Sequence, residues 1–452
     1  MGKFDVVVIG GGPGGLDAGF RLVKAGKKVC IVQDKKERLG GVCLNAGCMP
    51  TKSFLKSASV YRYAKKASMF GLSASAEPVD LAKVKASVNE GIAKLRGGIG
   101  MMSENSGAHF VFGRGAFASA NEVIVTKDDG TTETVCGEKI IIATGSVSRE
   151  LPFAPFDGKI VMNSDMMLEN EKLPEKLLII GGGAIGCEFA TMYNTFGSMV
   201  KIVEAMSQLI PNDDADAANM LKDRFQAEGI DVAVDTMMES LNVSGGKAEV
   251  RFKGQSDAEV YDMVLISIGR KPNLGTLSLD KAGVEIERDA VKVNEYLQSS
   301  NPDIYAAGDS IGGWMFAHSA AYEGEVCAAN ILNNGSMSLD ERAVPRVVFS
   351  HPEMASVGIV KADDDIKVLH VPGLMKGRPI TDKTPVGMFK LFVYKKSDVI
   401  AGGVILGDCA TEIIHELVMA VQNRLTVKQV KETMHAHPTF AEPLSYLAMS
   451  GM

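Results

Sequence analysis

The hydrophobic pattern of this chain contains the same strand, turn and helix order twice. Two short runs of β-branched and aliphatic residues are typical of strands that are buried on both faces of a sheet. A glycine-rich turn and a helical pattern follow each run, and a second apolar run follows each helix. Strand, helix and second strand are predicted over residues 5–9, 16–24 and 28–32, and again over residues 177–180, 187–196 and 199–203. This duplication predicts two Rossmann-like α/β domains.

Both turns have the spacing Gly-x-Gly-x-x-Gly. Glycines at these positions let the backbone approach a pyrophosphate, which then lies at the N-terminus of the helix. The motif alone is weak evidence because glycine-rich turns are common, but its place between a strand and a helix favours dinucleotide binding. The predicted contacts are Gly10, Gly12, Pro13 and Gly15 in the first turn, and Gly181, Gly183, Ala184, Ile185 and Gly186 in the second.

The end of the second strand in each unit is where an acidic side chain is expected to hold the cofactor ribose. Glu204 lies 23 residues after Gly181, and its carboxylate would accept a hydrogen bond from a ribose 2′-hydroxyl and repel a 2′-phosphate. The second unit is therefore predicted to bind NAD rather than NADP. In the first unit the strand ends in Gln33 and Asp34, and Asp34 lies 24 residues after Gly10. Which of these two side chains contacts the ribose stays open.

Three further apolar runs end in small or acidic residues that suit a cofactor site. One leads into Ala143, Thr144 and Gly145, the second into Gly269 and the third into Asp309. Each run alone could be an ordinary junction between a strand and a loop. Their pairing with the two glycine motifs favours cofactor contacts, and the Asp309 carboxylate is well placed for a cofactor hydroxyl.

From about residue 339 the pattern changes to strands and helices without another glycine motif. Strands are predicted over residues 346–349, 389–394 and 399–406 and helices over residues 410–423 and 427–433, which is typical of an α+β domain. His437 near its end is a candidate general base that Glu442 could orient, although a lone histidine is more often a surface residue. His435 and His437 resemble half of a metal site, but no ligand cluster completes it, so we predict no metal.

Two cysteines, Cys43 and Cys48, stand five residues apart before a helix predicted over residues 51–67. Pro50 suits the first turn of that helix, and the positive end of the helix dipole favours the thiolate form of Cys48. Such a pair can cycle between a disulfide and a dithiol. The alternative is two unrelated buried cysteines, which are common in protein cores.

Length, charge and cysteine usage exclude several classes of function. A chain of 452 residues needs about two to four domains, and its net charge of −7 offers no basic surface for nucleic acid or an anionic membrane. Seven cysteines, scattered apart from Cys43 and Cys48, do not suit a secreted disulfide framework. The sequence has no signal-peptide pattern and no apolar run of membrane-spanning length. We therefore expect a soluble, cytoplasmic protein.

In these motifs the sequence resembles the flavin-dependent pyridine nucleotide–disulfide oxidoreductases. The matching features occur in the family's order between residues 4 and 447. They are the cysteine segment from Gly40 to Lys52, the two glycine motifs, Gly308-Asp309 and the segment from His437 to Glu442. Within the family, the segment from Met315 to His318 is similar to the branch that oxidises dihydrolipoyl groups, and Glu204 fits that branch's use of NAD.

The resemblance implies an α/β fold of two Rossmann-like domains with a C-terminal α+β dimerisation domain. The implied domains are an FAD-binding domain over residues 1–148, an NAD-binding domain over 149–270, a central segment over 271–338 that completes the FAD domain, and a dimerisation domain over 339–452. FAD would bind at the first glycine motif and NAD at the second. Further implied cofactor contacts are Gly41, Val42, Gly115, Met315, Ala317 and His318, together with a Lys52–Glu188 ion pair beside the flavin.

The resemblance also implies roles in a thiol–disulfide reaction. Cys43 would exchange with a dihydrolipoyl substrate, and Cys48 would face the flavin. His437, oriented by Glu442, would remove the proton of a substrate thiol. The implied assembly is a homodimer that serves a lipoylated carrier, either the E2 component of a 2-oxo acid dehydrogenase or the H protein of glycine cleavage.

Two departures from the family and two other functions stay open. Gln33-Asp34 replaces the family's usual glutamate, and we expect one inserted residue there. Residues 319–322 replace a more charged segment, which leaves the tuning of the flavin open. The scaffold could instead reduce a different disulfide or act as an NADH diaphorase. It could also be a non-catalytic flavoprotein that serves as a binding partner.

Overall fold

The structure is a computed structural model that describes residues 2–333, 335–371, 377–384 and 387–447. The chain separates into two compact units, each assembled from segments that are distant in sequence. The first unit comprises Met1–Ser53, Lys85–Arg149 and Gly269–Asp340, and the second comprises Phe54–Val84, Glu150–Ile268 and Glu341–Met452. The four domain boundaries expected from the sequence stay predictions.

Strands and helices are distributed along the whole chain. The strands are β1 Gly2–Ile9, β2 Val29–Gln33, β3 His109–Phe112, β4 Arg114–Phe117, β5 Glu122–Thr126, β6 Thr132–Ile142, β7 Ser146–Ser148, β8 Val161–Met162, β9 Lys176–Ile180, β10 Met199–Val203, β11 Asp231–Ala233, β12 Met238–Ser244, β13 Lys247–Phe252, β14 Glu259–Tyr261, β15 Met263–Ile266, β16 Arg270–Pro272, β17 Ile286–Glu287, β18 Ala290–Val291, β19 Ile304–Ala306, β20 Pro345–Val348, β21 Glu353–Gly358, β22 Ile366–Val371, β23 Met388–Tyr394 and β24 Ile400–Gly407. The helices are α1 Pro13–Lys24, α2 Gly41–Ala46, α3 Cys48–Lys65, α4 Leu81–Asn105, α5 Ser164–Glu169, α6 Ala184–Phe196, α7 Ala215–Ala227, α8 Ala317–Asn333, α9 Arg378–Asp382, α10 Ala410–Gln422, α11 Val427–Glu432 and α12 Pro443–Leu447.

The main sheet of the first unit has the strand order β3-β2-β1-β6-β5-β4, and β19 also pairs with β6. Strands β1, β2, β3, β6 and β19 run parallel, whereas β4 and β5 extend the sheet in antiparallel fashion. Ile9 is level with Val32 and Ile142, and Ile142 is level with Ala306. Because parallel strands end at the same edge, the turns that follow these four strands meet there.

The first strand is buried on both faces, as its β-branched sequence predicts. Val6 and Val8 pack with Leu16 and Leu22 of α1 on one face of the sheet. Val7 and Ile9 belong to the core on the opposite face. This packing fixes the start of α1 directly behind the first glycine motif.

The parallel sheet of the second unit has the strand order β11-β10-β9-β15-β8. Ile180 at the end of β9 is level with Val203 of β10 and Ile266 of β15. The second glycine motif therefore leaves its sheet at the same kind of edge as the first. A separate antiparallel sheet, β12-β13-β14, packs in the core around Phe252 and Val250.

The C-terminal part of the second unit is an antiparallel sheet in the order β20-β21-β24-β23-β22. Ile414 and Leu417 of α10 lie in its core, and Leu444 of α12 lies in the same core. Val427 of α11 lies in this core as well, so the elements on both sides of the short segment between α11 and α12 are anchored. This segment carries His437 and Glu442.

The predicted fold class is confirmed, since a mostly parallel and a fully parallel α/β sheet precede an antiparallel sheet covered by helices. Several helices begin earlier than predicted, α1 at Pro13, α3 at Cys48 and α6 at Ala184. Gly12 and Gly183 are the extended N-cap residues of α1 and α6. Each helix thus starts inside its glycine motif, where the N–H groups of its first turn are available to an anion.

Candidate active site

The first glycine motif forms a tight turn against the end of β6. Gly10 has φ +119°, and a Cβ there would overlap the carbonyl oxygen of Ala143. A Cβ at Gly15 would overlap the carbonyl oxygen of Gly10. Gly41, at the start of α2, has φ +64°, and its Cβ would lie 2.9 Å from the Cα of Gly12. Glycine is required at these positions because the backbone segments approach each other too closely for a side chain.

The second glycine motif repeats this geometry. Gly181 has φ +105°, and its Cβ would meet the carbonyl oxygen of Ser267 at 2.5 Å. A Cβ at Gly186 would overlap the carbonyl oxygen of Gly181. Ala184 and Ile185, with Gly183 before them, form the first turn of α6. Both motifs therefore form the cradle that a pyrophosphate occupies at a helix N-terminus.

Gln33, and not Asp34, occupies the position that Glu204 has in the second unit. The backbone N–H of Gly11 donates to Oε1 of Gln33 at 2.6 Å, and that of Gly182 donates to Oε2 of Glu204 at 2.7 Å. Donor and acceptor are 22 residues apart in both units. The two units therefore have equal spacing and differ in the residue type at this one position, while the inserted residue expected relative to the family stays a prediction.

Asp34 supports Gln33 from the following position. The side-chain amide of Gln33 donates to Oδ1 of Asp34, which also accepts a hydrogen bond from the N–H of Lys35 at 2.9 Å. Arg38 forms an ion pair with the same carboxylate at 3.2 Å. The first unit thus presents a neutral amide backed by a carboxylate, whereas the second presents a carboxylate directly.

Glu204 is arranged to accept hydrogen bonds. Its side chain is buried, with Oε2 on the N–H of Gly182 and Oε1 on the N–H of Met206 at 2.9 Å. Each oxygen keeps a further lone pair for a hydroxyl donor. A phosphate brought to the same place would meet a carboxylate with no counter-charge in the adjoining turn, residues 205–208.

Two buried hydroxyl groups of the first unit fit a bound cofactor. Oγ1 of Thr144 and Oγ of Ser319 have no hydrogen-bond partner within the described part of the chain. Native structures rarely leave such groups unsatisfied. With the glycine cradle, they fit a cofactor that fills this part of the molecule and supplies polar atoms, as FAD does.

Asp309, a predicted cofactor contact, is held by Ser146 and Arg270, two residues that the sequence pattern did not single out. It follows β19 in a short 3₁₀ turn and accepts a hydrogen bond from Ser146. Arg270 holds Ser146 through its hydroxyl at 2.8 Å and its carbonyl at 2.9 Å. The only available signal was that Arg270 follows Gly269 at the end of an apolar run. The Asp309 carboxylate is thereby fixed in orientation.

The remaining predicted contacts are spread over both units. In the first unit, Val42 is in α2, Lys52 in α3, Gly115 in β4, and Ala317 and His318 begin α8. Gly145 and Met315 have positive φ angles, and His318 stacks on Phe316. In the second unit, Glu188 is buried in α6 and accepts the N–H of Phe349 at 3.1 Å. The Lys52–Glu188 pairing stays a prediction.

The two cysteines of the motif interact with each other. Cys43 lies in α2, Cys48 is the first residue of α3, and both are half-buried reduced thiols. The side-chain hydrogen bond with Cys48, together with burial, raises the pKa of the Cys43 thiol well above its usual range, while Lys52 acts in the opposite direction. Asn45 shapes the intervening turn by donating to the carbonyls of Leu39 and Gly41 at 3.0 and 2.8 Å. Cys48 at a helix N-terminus is the better site for a thiolate.

His437 and Glu442 form a hydrogen-bonded dyad. Nδ1 of His437 lies 2.7 Å from Oε1 of Glu442, whose other oxygen accepts the N–H of Thr439 at 2.9 Å. The hydrogen bond from His437 lowers the pKa of Glu442, so the carboxylate stays ionised. The His437 side chain is 75% exposed, whereas that of Glu442 is 11% exposed. A buried carboxylate that orients an exposed imidazole is the arrangement of a general base.

His435 does not complete a metal site with His437. Its two ring nitrogens lie within 3.0 Å of Glu416, Thr433 and Ser445, so neither is available to a cation. Over the described ranges, no group of three or more His, Cys, Asp and Glu side chains could hold a metal ion. Nor does any described helix have the length and apolar character needed to cross a membrane.

Comparison with known proteins gives a consistent result over the whole chain. The family model "pyridine nucleotide-disulphide oxidoreductase" matches residues 4–324, and the dimerisation domain of that family matches residues 344–448. The dihydrolipoyl dehydrogenase of Chlamydia muridarum is 34% identical over 97% of this chain and 95% of its own length. Other curated relatives that are 32–35% identical carry the same name.

Solved structures share the same architecture. LpdA from Mycobacterium tuberculosis superposes with a TM-score of 0.91 at 25% identity and covers 100% of both chains. The Cu(II) complex of RclA from Escherichia coli, described as an HOCl-induced flavoprotein disulfide reductase, superposes with a TM-score of 0.88 at 26% identity and covers 99% of both chains.

Proposed function

This chain belongs to the pyridine nucleotide-disulphide oxidoreductase family, and we propose that it is the member that oxidises protein-bound dihydrolipoamide to lipoamide with NAD⁺. The observation that carries the proposal is the hydrogen-bonded pair formed by Cys43 of α2 and Cys48 at the start of α3. The curated relatives that cover nearly the whole chain are named dihydrolipoyl dehydrogenase. As a member of this family, the enzyme uses FAD and NAD.

The two glycine cradles provide the cofactor sites. FAD held at the first cradle would supply the hydride chemistry that links the reduced cysteine pair to NAD⁺. Gln33 is the ribose contact of the first site, with Asp34 behind it, because it matches Glu204 of the second site. The hydroxyl groups of Thr144 and Ser319, which have no hydrogen-bond partner among the described residues, and the Asp309 carboxylate supply further polar contacts for the flavin.

The protein's own residues perform thiol–disulfide exchange. Glu442 holds the Nδ1–H of His437, so Nε2 accepts the proton of the first substrate thiol. In the oxidised enzyme, in which a disulfide joins Cys43 to Cys48, the resulting thiolate attacks Sγ of Cys43. The Cys43–Cys48 bond breaks, a mixed disulfide forms between the substrate and Cys43, and Cys48 leaves as a thiolate. The second substrate thiolate then attacks the substrate sulfur of that mixed disulfide and releases Cys43. Two electrons have entered the cysteine pair, and lipoamide leaves.

The geometry of the cysteine pair suits this division of roles. A thiolate at Cys48 gains from the N-terminus of the 18-residue helix α3. The raised pKa of Cys43 keeps its thiol protonated and able to donate to that thiolate. Cys43 is therefore the residue that exchanges with substrate, and Cys48 the one that carries charge.

A second candidate function is the reduction of another disulfide. The structural likeness to RclA, described as a flavoprotein disulfide reductase, favours it, because the whole scaffold is shared. Both functions need Cys43 and Cys48. They differ in the thiol substrate and in the direction of electron flow.

Steady-state assays of the FAD-loaded protein test the proposal. We expect oxidation of dihydrolipoamide with NAD⁺ and little reduction of glutathione disulfide with NADPH. Because Glu204 would meet a 2′-phosphate, kcat/KM should favour NAD⁺ over NADP⁺ by about 100-fold. Glu204→Gln keeps an acceptor for the N–H of Gly182 and should reduce this preference. Glutathione disulfide as the better substrate, or equal use of both nucleotides, would refute the proposal.

We further propose a homodimer that serves a lipoylated carrier protein in the cytoplasm. The match of residues 344–448 to a dimerisation domain supports the dimer. Each active site would combine Cys43 of one protomer with His437 of the other.

Refolding mixtures of two inactive variants test this shared site. Cys43→Ser and His437→Gln homodimers each lack one group at both sites. A mixed dimer has one site with both groups intact, so it should recover up to about half of the wild-type activity if the sites are independent. Mixed dimers that are no more active than their parents would show that each site is built within one chain.

A further inference from the structure

The segment that follows Glu204 folds back onto the second glycine motif. It comprises residues 205–213, and we call it the ribose turn. The carbonyl oxygen of Gly182 accepts the N–H of Ile210 at 2.9 Å, while the N–H of Gly182 donates to Glu204. Leu209 is fully buried, and a Cβ on Gly182 would lie 2.5 Å from its side chain. The ribose turn therefore fixes the backbone of the motif beside the carboxylate that is expected to hold the ribose of NAD.

The ribose turn has a backbone conformation that needs support from its surroundings. Ile210 has φ +46°, in the left-handed region that β-branched residues rarely adopt. Within the turn, the N–H of Asp213 donates to the carbonyl of Ile210 at 3.0 Å, and the side-chain amide of Gln208 donates to the carbonyl of Asp213 at 3.2 Å. Such a conformation persists where the neighbouring structure holds it in place.

The end of the ribose turn is bound to the C-terminal antiparallel sheet. The Asp213 side chain is 5% exposed, and its carboxylate accepts hydrogen bonds from Ser356 of β21 and from Nε of Arg346 of β20, which lies at 3.4 Å. Arg346 also donates to the carbonyl of Gly358 at 3.2 Å, which holds the guanidinium against β21. A buried carboxylate is costly unless donors and an opposite charge compensate it, so Asp213 stays where Arg346 and Ser356 are.

Lys390 of β23 binds the chain one residue further on. Its Nζ lies 2.9 Å from both carboxylate oxygens of Asp214 and also pairs with Asp216. Burial lowers the pKa of Lys390, but the hydrogen bonds with Asp216 and Asp214 outweigh burial and raise the pKa, so the lysine stays charged. Asp214 also caps α7 by accepting the N–H of Ala217 at 2.9 Å. Three strands of the C-terminal sheet thus hold the ribose turn and the start of α7.

We propose that the C-terminal sheet sets the affinity for the adenosine half of NAD by holding the ribose turn. Arg346 and Ser356 are positioning residues in this role, since they act on Glu204 and Gly182 through the turn. A looser turn would weaken the ribose contacts equally in the ground state and the transition state, so KM would rise while kcat stayed unchanged. The coupling is reciprocal, so a bound adenosine half would stabilise the sheet. This role rests on the NAD site of the proposed function and not on the identity of the disulfide substrate.

Ser356→Ala and Arg346→Met in the FAD-loaded enzyme test the proposal, with Thr411→Val as the matched control. Ser356→Ala removes one donor from Asp213 and leaves the ion pair with Arg346 intact, so this variant is expected to fold. Thr411→Val also removes a hydroxyl donor from a carboxylate. That carboxylate belongs to Glu353, which lies on the same strand as Ser356 but binds the start of α10 instead of the ribose turn.

NADH oxidation by an artificial acceptor and the binding of nucleotide halves measure the effect. The KM for NADH should rise about threefold in Ser356→Ala and about 10-fold in Arg346→Met, with kcat unchanged. The dissociation constant of 5′-AMP, measured by calorimetry, should rise by the same factors, whereas that of nicotinamide mononucleotide should not change. In hydrogen exchange, 5′-AMP should protect the amides of β20 and β21 in the wild type and protect them less in Ser356→Ala. Thr411→Val should match the wild type throughout.

Wild-type values of the KM for NADH and of the 5′-AMP affinity in both variants would overturn the proposal. Equal losses in Thr411→Val would overturn it as well, because they would show that any loosening of the sheet has the same effect. A lower kcat with an unchanged affinity for 5′-AMP would also contradict it. If the expected shifts appear in an enzyme that does not oxidise dihydrolipoamide, the proposed substrate is refuted and the role of the C-terminal sheet is still supported.

Discussion

Replacing Cys43 by serine should abolish the oxidation of dihydrolipoamide, with a loss of at least about 10³-fold in kcat. The substrate thiolate would then have no disulfide sulfur to attack. Cys48→Ser should cause a loss of similar size, because Cys43 would have no partner. NADH oxidation by an artificial acceptor should persist in both variants, since that transfer needs the cofactors alone.

The two cysteine variants should differ in their visible spectra. A Cys48 thiolate beside the flavin should give a long-wavelength charge-transfer band, which Cys43→Ser should retain even in the oxidised enzyme and Cys48→Ser should lose. Cys136→Ser, at a half-buried cysteine of β6 outside the pair, is the matched control and should behave as wild type. The opposite pattern of bands would show that the roles of Cys43 and Cys48 are reversed.

Replacing His437 by glutamine should reduce kcat/KM for dihydrolipoamide by about 10² to 10⁴-fold, the range for loss of a general base. Glu442→Gln should cost less, about 10-fold, because the ring keeps an acceptor on Nδ1 but loses the negative charge that stabilises its protonated form. Steady-state rates over a range of pH measure both effects. A His437→Gln enzyme within threefold of the wild type would show that another group is the base.

The sign of the pH effect on the dyad follows from Glu442. Its pKa lies below the usual range of a glutamate, chiefly because His437 donates a hydrogen bond to it. The stabilisation from this interaction is therefore present above the ordinary glutamate pKa and is lost only as the pH falls through the lowered value. Glu442→Gln should remove the acid-side fall in unfolding temperature that this interaction causes. A plot of unfolding temperature against pH for Glu442→Gln that runs parallel to that of the wild type would contradict this prediction.

The sequence predicts the parallel sheets well because local signals agree there. In β1 and β9, apolar runs that are buried on both faces are followed directly by glycines. These positions form tight turns in which a Cβ would overlap neighbouring backbone atoms. Cys43 and Cys48 were singled out by their spacing before a predicted helix, and the start of that helix, α3, was placed three residues too late. A residue at a helix N-terminus, such as Cys48, is the least determined by periodicity.

Other features depend on contacts that no local pattern encodes. Gln33 takes the place of Glu204 through its bond to Gly11, whereas the sequence alone left Gln33 and Asp34 as alternatives. Helix α4 carries Gly91 and further glycines in its second half, which weaken its helical signal. The network around His435 joins residues from three segments, so only the folded chain brings them together.

An anaerobic titration of the oxidised, FAD-loaded enzyme with dihydrolipoamide, in the absence of NAD⁺, tests the central claim most directly. The chain has seven cysteines, and two of them should start as the Cys43–Cys48 disulfide. One equivalent of dihydrolipoamide should release one lipoamide. The loss of the oxidised flavin band measures flavin reduction, and the thiols counted after denaturation measure disulfide reduction. Together they should account for one electron pair per chain. Subsequent NAD⁺ should restore the oxidised spectrum and yield one NADH. If dihydrolipoamide changes neither the spectrum nor the thiol count while NADH reduces the flavin normally, the enzyme does not exchange its disulfide with dihydrolipoyl substrates.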